Sequence, residues 1–433
     1  MKIDLKVSKL GELGKVSMCK RVLKHQTSEN GDIPFYKIST FGGKSDTYIS
    51  KELYQSFRDK YSYPKIGDIL ISAAGTIGKT VVFDGEPSYF QDSNIVWIAN
   101  DESEVINQFL YYYYLTEPWI ATNGSTIKRL YNDNIRNLTI SYPDISFQKQ
   151  IAKILSDLDA KIEVNNKINQ ELEDMAKTLY DYWFVQFDFP DANGKPYKSS
   201  GGKMVYNEKL KREIPEGWEV KKLSKCSKII DCLHSKKSDY LFENEECYLL
   251  QLENITQDNL IDLSKKYYVS KEEYERWTTR IEVEDGDLVI TNAGRVAGLA
   301  QIPMSIKAGI GRNITAIRPS EIKPTFLYYT FQGAEMERQI KLNTDTGSFF
   351  KSLNVRGIKE LLVVRPPKYF EEKFENISIN HRRKRELNSF QNQKLAELRD
   401  WLLPMLMNGQ VTVGEEERDL TMAAVHSTTI QNK

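Results

Sequence analysis

The chain has 433 residues, 40% of them hydrophobic, and 60 basic side chains against 60 acidic ones. That length suggests two to four domains, and the apolar content is too high for a disordered protein. Zero net charge neither points to a nucleic acid nor excludes one, since a neutral sum can hide a local basic surface. No stretch approaches the ~20 apolar residues of a membrane span. The opening "MKIDLKVSKLGELGK" lacks the apolar centre of a secretory signal, so a cytoplasmic protein is expected. Cys19, Cys226, Cys232 and Cys247 form no CxxC pair, and His25, His234, His381 and His426 stand isolated. The cysteines read as buried thiols, and neither a metal site nor a His-centred triad is expected.

In chain order, the apolar run "DILIS" (68–72) comes first and leads into "AAGTIGKT" (73–80). Ala73, Gly78, Lys79 and Thr80 satisfy a loose phosphate-loop pattern. Such a loop must open a helix whose N–H groups meet the anion. Here it runs into "TVVFDGEP", β-branched and then turning, which predicts a hairpin. "NIVWI" (94–98) and "LTISYP" (138–143) read as strands and "NQFLYYYYLT" (107–116) as a helix, its tyrosines core rather than base-stacking. From Ile151 apolar residues recur at four and three: Ile151, Leu155, Leu158, Ile162, then Asn165 and Asn169, then Leu172, Ala176, Leu179 and Trp183. That is a coiled-coil seam on a rod of ~40 residues and ~60 Å. Residues 188–214, rich in Gly, Pro, Ser and Lys, read as a linker.

The second half repeats the first. "GDILISAAGTIGKTVVF" (67–83) matches "GDLVITNAGRVAGLAQI" (286–302), and "DSNIVWI" matches "GRNITAI", at an offset of 219 residues (Gly67 to Gly286). "FLYYYY" (109–114) meets "FLYYTF" (326–331), and "GSTIKRLYNDNIRNLTISYP" (124–143) aligns without gaps to "GSFFKSLNVRGIKELLVVRP" (347–366). The last offset carries on to Asn165/Asn388, Asn169/Asn392, Leu172/Leu395 and Leu179/Leu402. The second helix, roughly 369–407, starts weakly at "NHRRKREL" and recovers with Leu395, Leu398, Leu402 and Leu406. Paired asparagines on both seams predict antiparallel pairing with mutual hydrogen bonds, which fix register at some expense of stability. The repeat also weighs against a nucleotide site: "NAGRVAGLA" keeps Gly294 and Gly298 but places Leu299–Ala300 where Lys79–Thr80 stand.

The expected architecture is therefore α+β and internally duplicated, with two globular domains separated by two long antiparallel, coiled-coil-like helices. The boundaries are a first globular domain over 1–143, a central helix over 144–187 and a linker over 188–214. A second globular domain follows over 215–366, a C-terminal helix over 367–410, and a tail over 411–433 that is expected to be disordered. The duplication and its motifs, "GDILISAAGTIGK" with "GDLVITNAGRVAG", "GSTIKRL" with "GSFFKSL", "TLYDYWFVQFDFP", "IPEGWEVKKL" and "LRDWLLPMLMNGQV", occur in order over nearly the whole chain. In these the sequence resembles the specificity subunit of Type I restriction–modification systems.

The resemblance implies two target recognition domains, each reading one half of a bipartite, asymmetric site in double-stranded DNA, with the helices as spacer. It implies partners: two adenine-N6 methyltransferase (modification) subunits and the restriction/translocase subunits. It assigns S-adenosylmethionine, ATP and Mg²⁺ to those partners and no cofactor or catalytic role to this chain. Candidate DNA-binding residues are Lys44, Ser45, Thr76, Lys79, Lys128 and Arg129 in the first half, and Arg295, Arg312, Asn313, Lys351 and Arg356 in the second. Lys and Arg neutralise phosphates, and Arg and Asn can make bidentate contacts to base edges. The basic run "HRRKR" (381–385) could reach phosphates or an acidic partner, or be a solvated helix face. Two competing functions remain at this point: a nucleotide hydrolase acting through Ala73–Thr80, and a coiled-coil scaffold with no DNA role.

Overall fold

A computed structural model describes residues 4–119, 129–233, 247–346 and 351–411. Lys128 and the tail from 412 onward lie outside the described residues, as do 124–127 and 347–350 of the paired "GSxxK" stretches. The chain divides into two compact units, Met1–Ile162 with Lys394–Lys433, and Glu163–Gln393.

The first unit holds an antiparallel four-stranded sheet in the order Gly14–Ser17, Ile95–Asn100, Ile69–Ser72, Thr80–Val82. A second sheet orders Tyr48–Ile49, Ile33–Tyr36, Tyr89–Phe90, its last pair parallel. The second unit repeats both. Its four strands run Ser227–Asp231, Ile314–Pro319, Leu288–Thr291, Leu299–Gln301, and its three run Tyr267–Tyr268, Tyr248–Leu250, Gly309–Ile310. Register is repeated too: Leu70 opposes Trp97 as Val289 opposes Ala316, and Ile69 opposes Val82 as Leu288 opposes Gln301. The central strands Ile69–Ser72 and Leu288–Thr291 are buried at every position, which explains why both read as continuous rather than alternating apolar runs.

The repeated Gly–Asp pair has a local cause. Asp68 accepts the N–H of Lys65 at 2.8 Å, and Asp287 accepts that of Glu284 at 3.0 Å, so each carboxylate closes the turn that feeds its strand. The helices Asn107–Leu115 and Pro324–Phe331 turn their aromatics into the cores; Phe109, Tyr112, Tyr114, Phe326, Tyr328 and Tyr329 are all buried. Each aromatic helix is capped by the long helix of its own unit. Gln148 accepts the N–H of Ile106 at 2.9 Å, and Glu371 accepts that of Lys323 at 2.5 Å. Gln148 also donates to the Glu104 carbonyl, and in the second unit Arg365, paired to Glu371, donates to the Glu321 carbonyl instead. One structural role is thus filled by different chemistry in the two copies.

The long helices run Ile145–Tyr180 (36 residues) and Lys368–Met407 (40 residues). Within the second unit Asn165 donates to Asn392 (2.8 Å), Asn388 donates to Asn169 (2.8 Å), and Glu173 pairs with Arg385. Within the first, Asp159 pairs with Arg399 at 2.8 Å. Partner numbers fall as the first helix advances, so the helices are antiparallel.

Beyond this ladder the expected seam continues at both ends, where it merges with the globular cores. Ile151 and Leu155 pack into the first unit's globular core with Leu403, Leu406 and Met407. Ala176, Tyr180 and Trp183 join Phe374 in the second unit's core. Leu402 and Leu179 are half-buried against those same cores, Leu172 and Leu395 are half-buried, and Leu398 is exposed. Each end of the seam thus packs against both the partner helix and the globular domain of its unit.

Residues 188–214 are folded rather than a linker. Phe189 stacks on Tyr197 and Trp218, Ser199 N–H bonds Asp188 at 2.7 Å, and Met204–Asn207 pairs with Arg212–Pro215. The glycines and lysines hid a few aromatic anchors, and those anchors suffice to hold the segment on the core.

Candidate DNA interface

The two hairpin tips are built alike. In the first, Ser72 Oγ accepts the N–H of Lys79 at 2.9 Å and donates to the Thr76 carbonyl; the N–H of Gly78 closes on the Ser72 carbonyl at 2.9 Å. In the second, Thr291 Oγ1 accepts the N–H of Gly298 at 2.8 Å and donates to the Arg295 carbonyl; the N–H of Ala297 closes on the Thr291 carbonyl at 2.9 Å. These bonds keep the 219-residue offset through the tip and so overturn the placing of Leu299–Ala300 opposite Lys79–Thr80. Ala297, at φ 63°, is the counterpart of Gly78, at φ 82°, and Gly298 occupies the place of Lys79. Arg295 stands opposite Thr76. Gly78 also lies directly under the Trp119 indole, where any Cβ would collide.

Three loops meet at each tip. The N–H of Ala73 bonds the Asn94 carbonyl (2.7 Å), and that of Leu130 bonds the Ala73 carbonyl (2.8 Å). The same bonds recur from Asn292 to Asn313 (2.8 Å) and from Leu353 to Asn292 (2.9 Å). Thr76, Lys79 and Arg129 therefore belong to one loop cluster in the first unit, and Arg295, Asn313 and Lys351 to the matching cluster in the second. Lys44 lies on the loop whose Phe41 carbonyl accepts Lys79 Nζ at 2.6 Å. Arg312 adjoins Asn313, and Arg356 sits on the short helix Val355–Glu360 just past Leu353.

Exposure and partners sort the candidates. Lys44, Thr76, Arg312, Asn313, Lys351 and Arg356 are exposed. Lys79 and Arg295 are exposed but anchored; Arg295 Nη2 donates to the Ile255 carbonyl at 2.8 Å, the second unit's version of the Lys79–Phe41 contact. Arg129 is half-buried, donating to the carbonyl and hydroxyl of Ser93 at 3.0 and 3.1 Å. Ser45 is misassigned as a reader: it is buried and donates to the Phe35 and Thr47 carbonyls, so it holds a strand end. As a small hydroxyl beside Lys44, it gave no hint in sequence that it faces inward.

The basic run 381–385 is neither solvated nor open to phosphate at two of its positions. Arg382 is buried between Asp285 (2.8 Å) and Glu386 (3.0 Å), and Arg385 is buried against Glu173, which also accepts the Tyr329 hydroxyl at 2.9 Å. Counting back from Asn388 by three and then four reaches Arg385 and His381, a spacing that already marked Arg385 as inward-facing. The phosphate-loop motif meets the geometry expected of a hairpin, since Thr80–Val82 is a strand and Lys79 Nζ sits on a carbonyl. Among the described residues no three His, Cys, Asp or Glu side chains could hold a metal ion together, and no helix is long and apolar enough to cross a membrane.

Residues 2–174 match the family model described as the Type I restriction modification DNA specificity domain. A putative type I restriction enzyme specificity subunit from Haemophilus influenzae is 54% identical over 181 residues, which is 41% of this chain and 46% of that protein, less than half its length. A type I restriction enzyme specificity subunit from Methanocaldococcus jannaschii is 25% identical over 89% of this chain and 88% of its own. The crystal structure of a Type-I restriction–modification S subunit from M. genitalium shares the fold, with a TM-score of 0.54 over 93% of this chain and 96% of that one at 17% identity. The duplicated sequence, the twice-built sheet and these relatives agree: the first 174 residues match the specificity domain, and the chain as a whole is similar in sequence and fold to specificity subunits of Type I restriction–modification systems.

Proposed function

We propose that each unit reads one half of a bipartite, asymmetric DNA site through its three-loop cluster. The two long helices act as the spacer between the readers, because helix length is set by residue count. The chain docks two adenine-N6 methyltransferase subunits and, in the full complex, the restriction/translocase subunits. S-adenosylmethionine, ATP and Mg²⁺ act on those partners, and this chain supplies recognition without catalysis.

The observation that carries the reading is one scaffold built twice with different side chains at its tip. The hydroxyl clamp, the loop hydrogen bonds and the register are common to both units, while Thr76 is replaced by Arg295 and Lys79 by Gly298 in the second copy. Shared backbone with divergent tips is what reading two unlike half-sites requires. Replacing residues 1–143 by those of another specificity subunit, co-expressed with the modification subunit, is expected to change one half-site in a methylation map and leave the other. An unchanged pair of half-sites would falsify the assignment of one reader to each unit.

A further inference from the structure

The two units carry the same cleft, closed in one and open in the other. In the second unit it lies at the base of the hairpin, beside the start of the helix Pro324–Phe331. The second long helix drops Arg382 into it. The guanidinium bonds Asp285 at 2.8 Å and the Ile302 carbonyl at 3.2 Å, with Glu386 alongside at 3.0 Å, and its side chain is 9% exposed. The neighbouring strand residue is the buried Gln301.

At the matching place in the first unit the cation and both hairpin side chains are exchanged, while Glu386 keeps an identical counterpart in Glu163, which pairs with Lys167. Asp159 stands on the long helix in place of Arg382, Ile66 in place of Asp285, and Val82 in place of Gln301. The Phe83 carbonyl matches that of Ile302: it accepts the N–H of Gly67 at 2.8 Å as Ile302 accepts that of Gly286 at 3.1 Å. What remains is a cleft of about 510 Å³ lined by Ile69, Val82, Tyr111, Tyr112, Glu102 and Asp159. Ile66 beside it is 77% exposed and Val82 45% exposed, while their counterparts Asp285 and Gln301 are ion-paired and buried.

We propose that this open cleft receives an arginine side chain from a modification subunit, in the position that Arg382 fills in the second unit. The inference rests on the reading of this chain as a docking subunit and names the contact. The chemistry is complementary. Glu102 makes no ion pair among the described residues; its Oε1 accepts the N–H of Asn107 at 2.7 Å. Asp159 is bonded to Arg399 and to the Tyr112 hydroxyl, each at 2.8 Å, and retains acceptor capacity. Tyr111 and Val82 offer the flat and aliphatic surface that suits a guanidinium and its stem. Asp159 is already balanced by Arg399, so Glu102 carries the cleft's net negative charge, which would repel a DNA phosphate and suits a protein cation. The anchor exists once per chain, so the two modification subunits are held differently.

The test uses the full chain with its own modification subunit. Ile66→p-benzoylphenylalanine is photocrosslinked in the assembled complex and the joined peptide sequenced; an arginine-bearing peptide of the modification subunit is expected. Val82→Arg, which plugs the cleft from within, is expected to weaken assembly about tenfold. Glu102→Gln, which keeps the acceptor for Asn107, should weaken it about threefold and flatten its salt dependence. Met304→Arg, exposed on the second unit's hairpin base, is expected to have no effect. A crosslink to DNA, to a second copy of this chain or to a peptide without arginine overturns the inference, as does wild-type affinity in Val82→Arg. If residues 1–143 still redirect methylation while the cleft variants bind normally, only this inference fails. If the unmodified chain recruits no modification subunit, the docking reading fails with it.

Discussion

At the scale of single residues, the carbonyl oxygens of Phe41 and Ile255 decide how the hairpin cations are used. Each takes a hydrogen bond from a basic side chain that rises from the tip, Lys79 in one unit and Arg295 in the other, although these come from non-equivalent positions. A charge held at a defined point loses little further freedom when it meets a phosphate, which favours a positional contact over a mobile one. Gly78 is constrained by its positive φ and by Trp119. Gly78→Ala is expected to destabilise the protein by about 1–3 kcal/mol, whereas Ala297→Gly, which removes a side chain from a left-handed position, should stay within about 1 kcal/mol of wild type; thermal melts of both variants check this. Burial pushes the Cys19 thiol up to about 12. Its thiolate is then almost absent at pH 8, so iodoacetamide should modify half-buried Cys247 first and reach Cys19 only on unfolding, as peptide mapping would read out.

At the scale of elements, the asparagine ladder and the buried ion pairs set how the long helices meet. Asn169 and Asn388 are 8% and 2% exposed, so Asn169→Ala leaves the Asn388 amide without its acceptor. The expected loss in urea unfolding is about 1–3 kcal/mol, and Asn169→Leu with Asn388→Leu should recover most of it at the expense of register. Glu386 behaves differently because burial raises its carboxyl to about 7, with Arg382 and Arg383 opposing that shift and Asp285 adding to it; the Met304 backbone faces it from the hairpin side. A carboxyl whose folded pKa is raised holds its proton in the native state while the unfolded chain has lost it. Stability therefore falls as pH rises from about 4.5 to about 7 and levels off above that. Glu386→Gln removes this slope, so its melting temperature relative to wild type should climb between pH 5 and pH 8.

At the scale of the whole molecule, 60 basic and 60 acidic side chains leave no net attraction for DNA. Many cations are already spent internally: Arg382, Arg385, Arg365 and Arg318 all sit in buried or half-buried ion pairs. On the proposed function, the isolated chain is expected to bind DNA weakly, and a complex with modification subunits to bind tightly with a steeper dependence of log K on log salt. Tight, strongly salt-sensitive binding by the chain alone, in a filter or fluorescence titration, would contradict that expectation.

The duplication, the hairpin reading of "AAGTIGKT", the aromatic helices and the antiparallel asparagine pairing were all legible in the sequence. Each depends on local pattern: offsets that recur, β-branched residues after a glycine turn, apolar spacing of three and four. The partners of a side chain are not local, and that is where the reading stopped. Ser45 and Lys44 are neighbours in sequence, yet one bonds two carbonyls in the interior and the other meets solvent. Matching glycine to glycine drew Gly298 into the place of Gly78, and the hydrogen bonds return that place to Ala297, as the unbroken offset requires. Arg382 looked like surface charge, and only the packing of helix on hairpin made it the plug of a cleft that its twin leaves open. The sequence by itself determined that one scaffold occurs twice. Which cations remain exposed, and which cleft stays open, only the tertiary structure decided, because a charge is spent or spared by what folds against it.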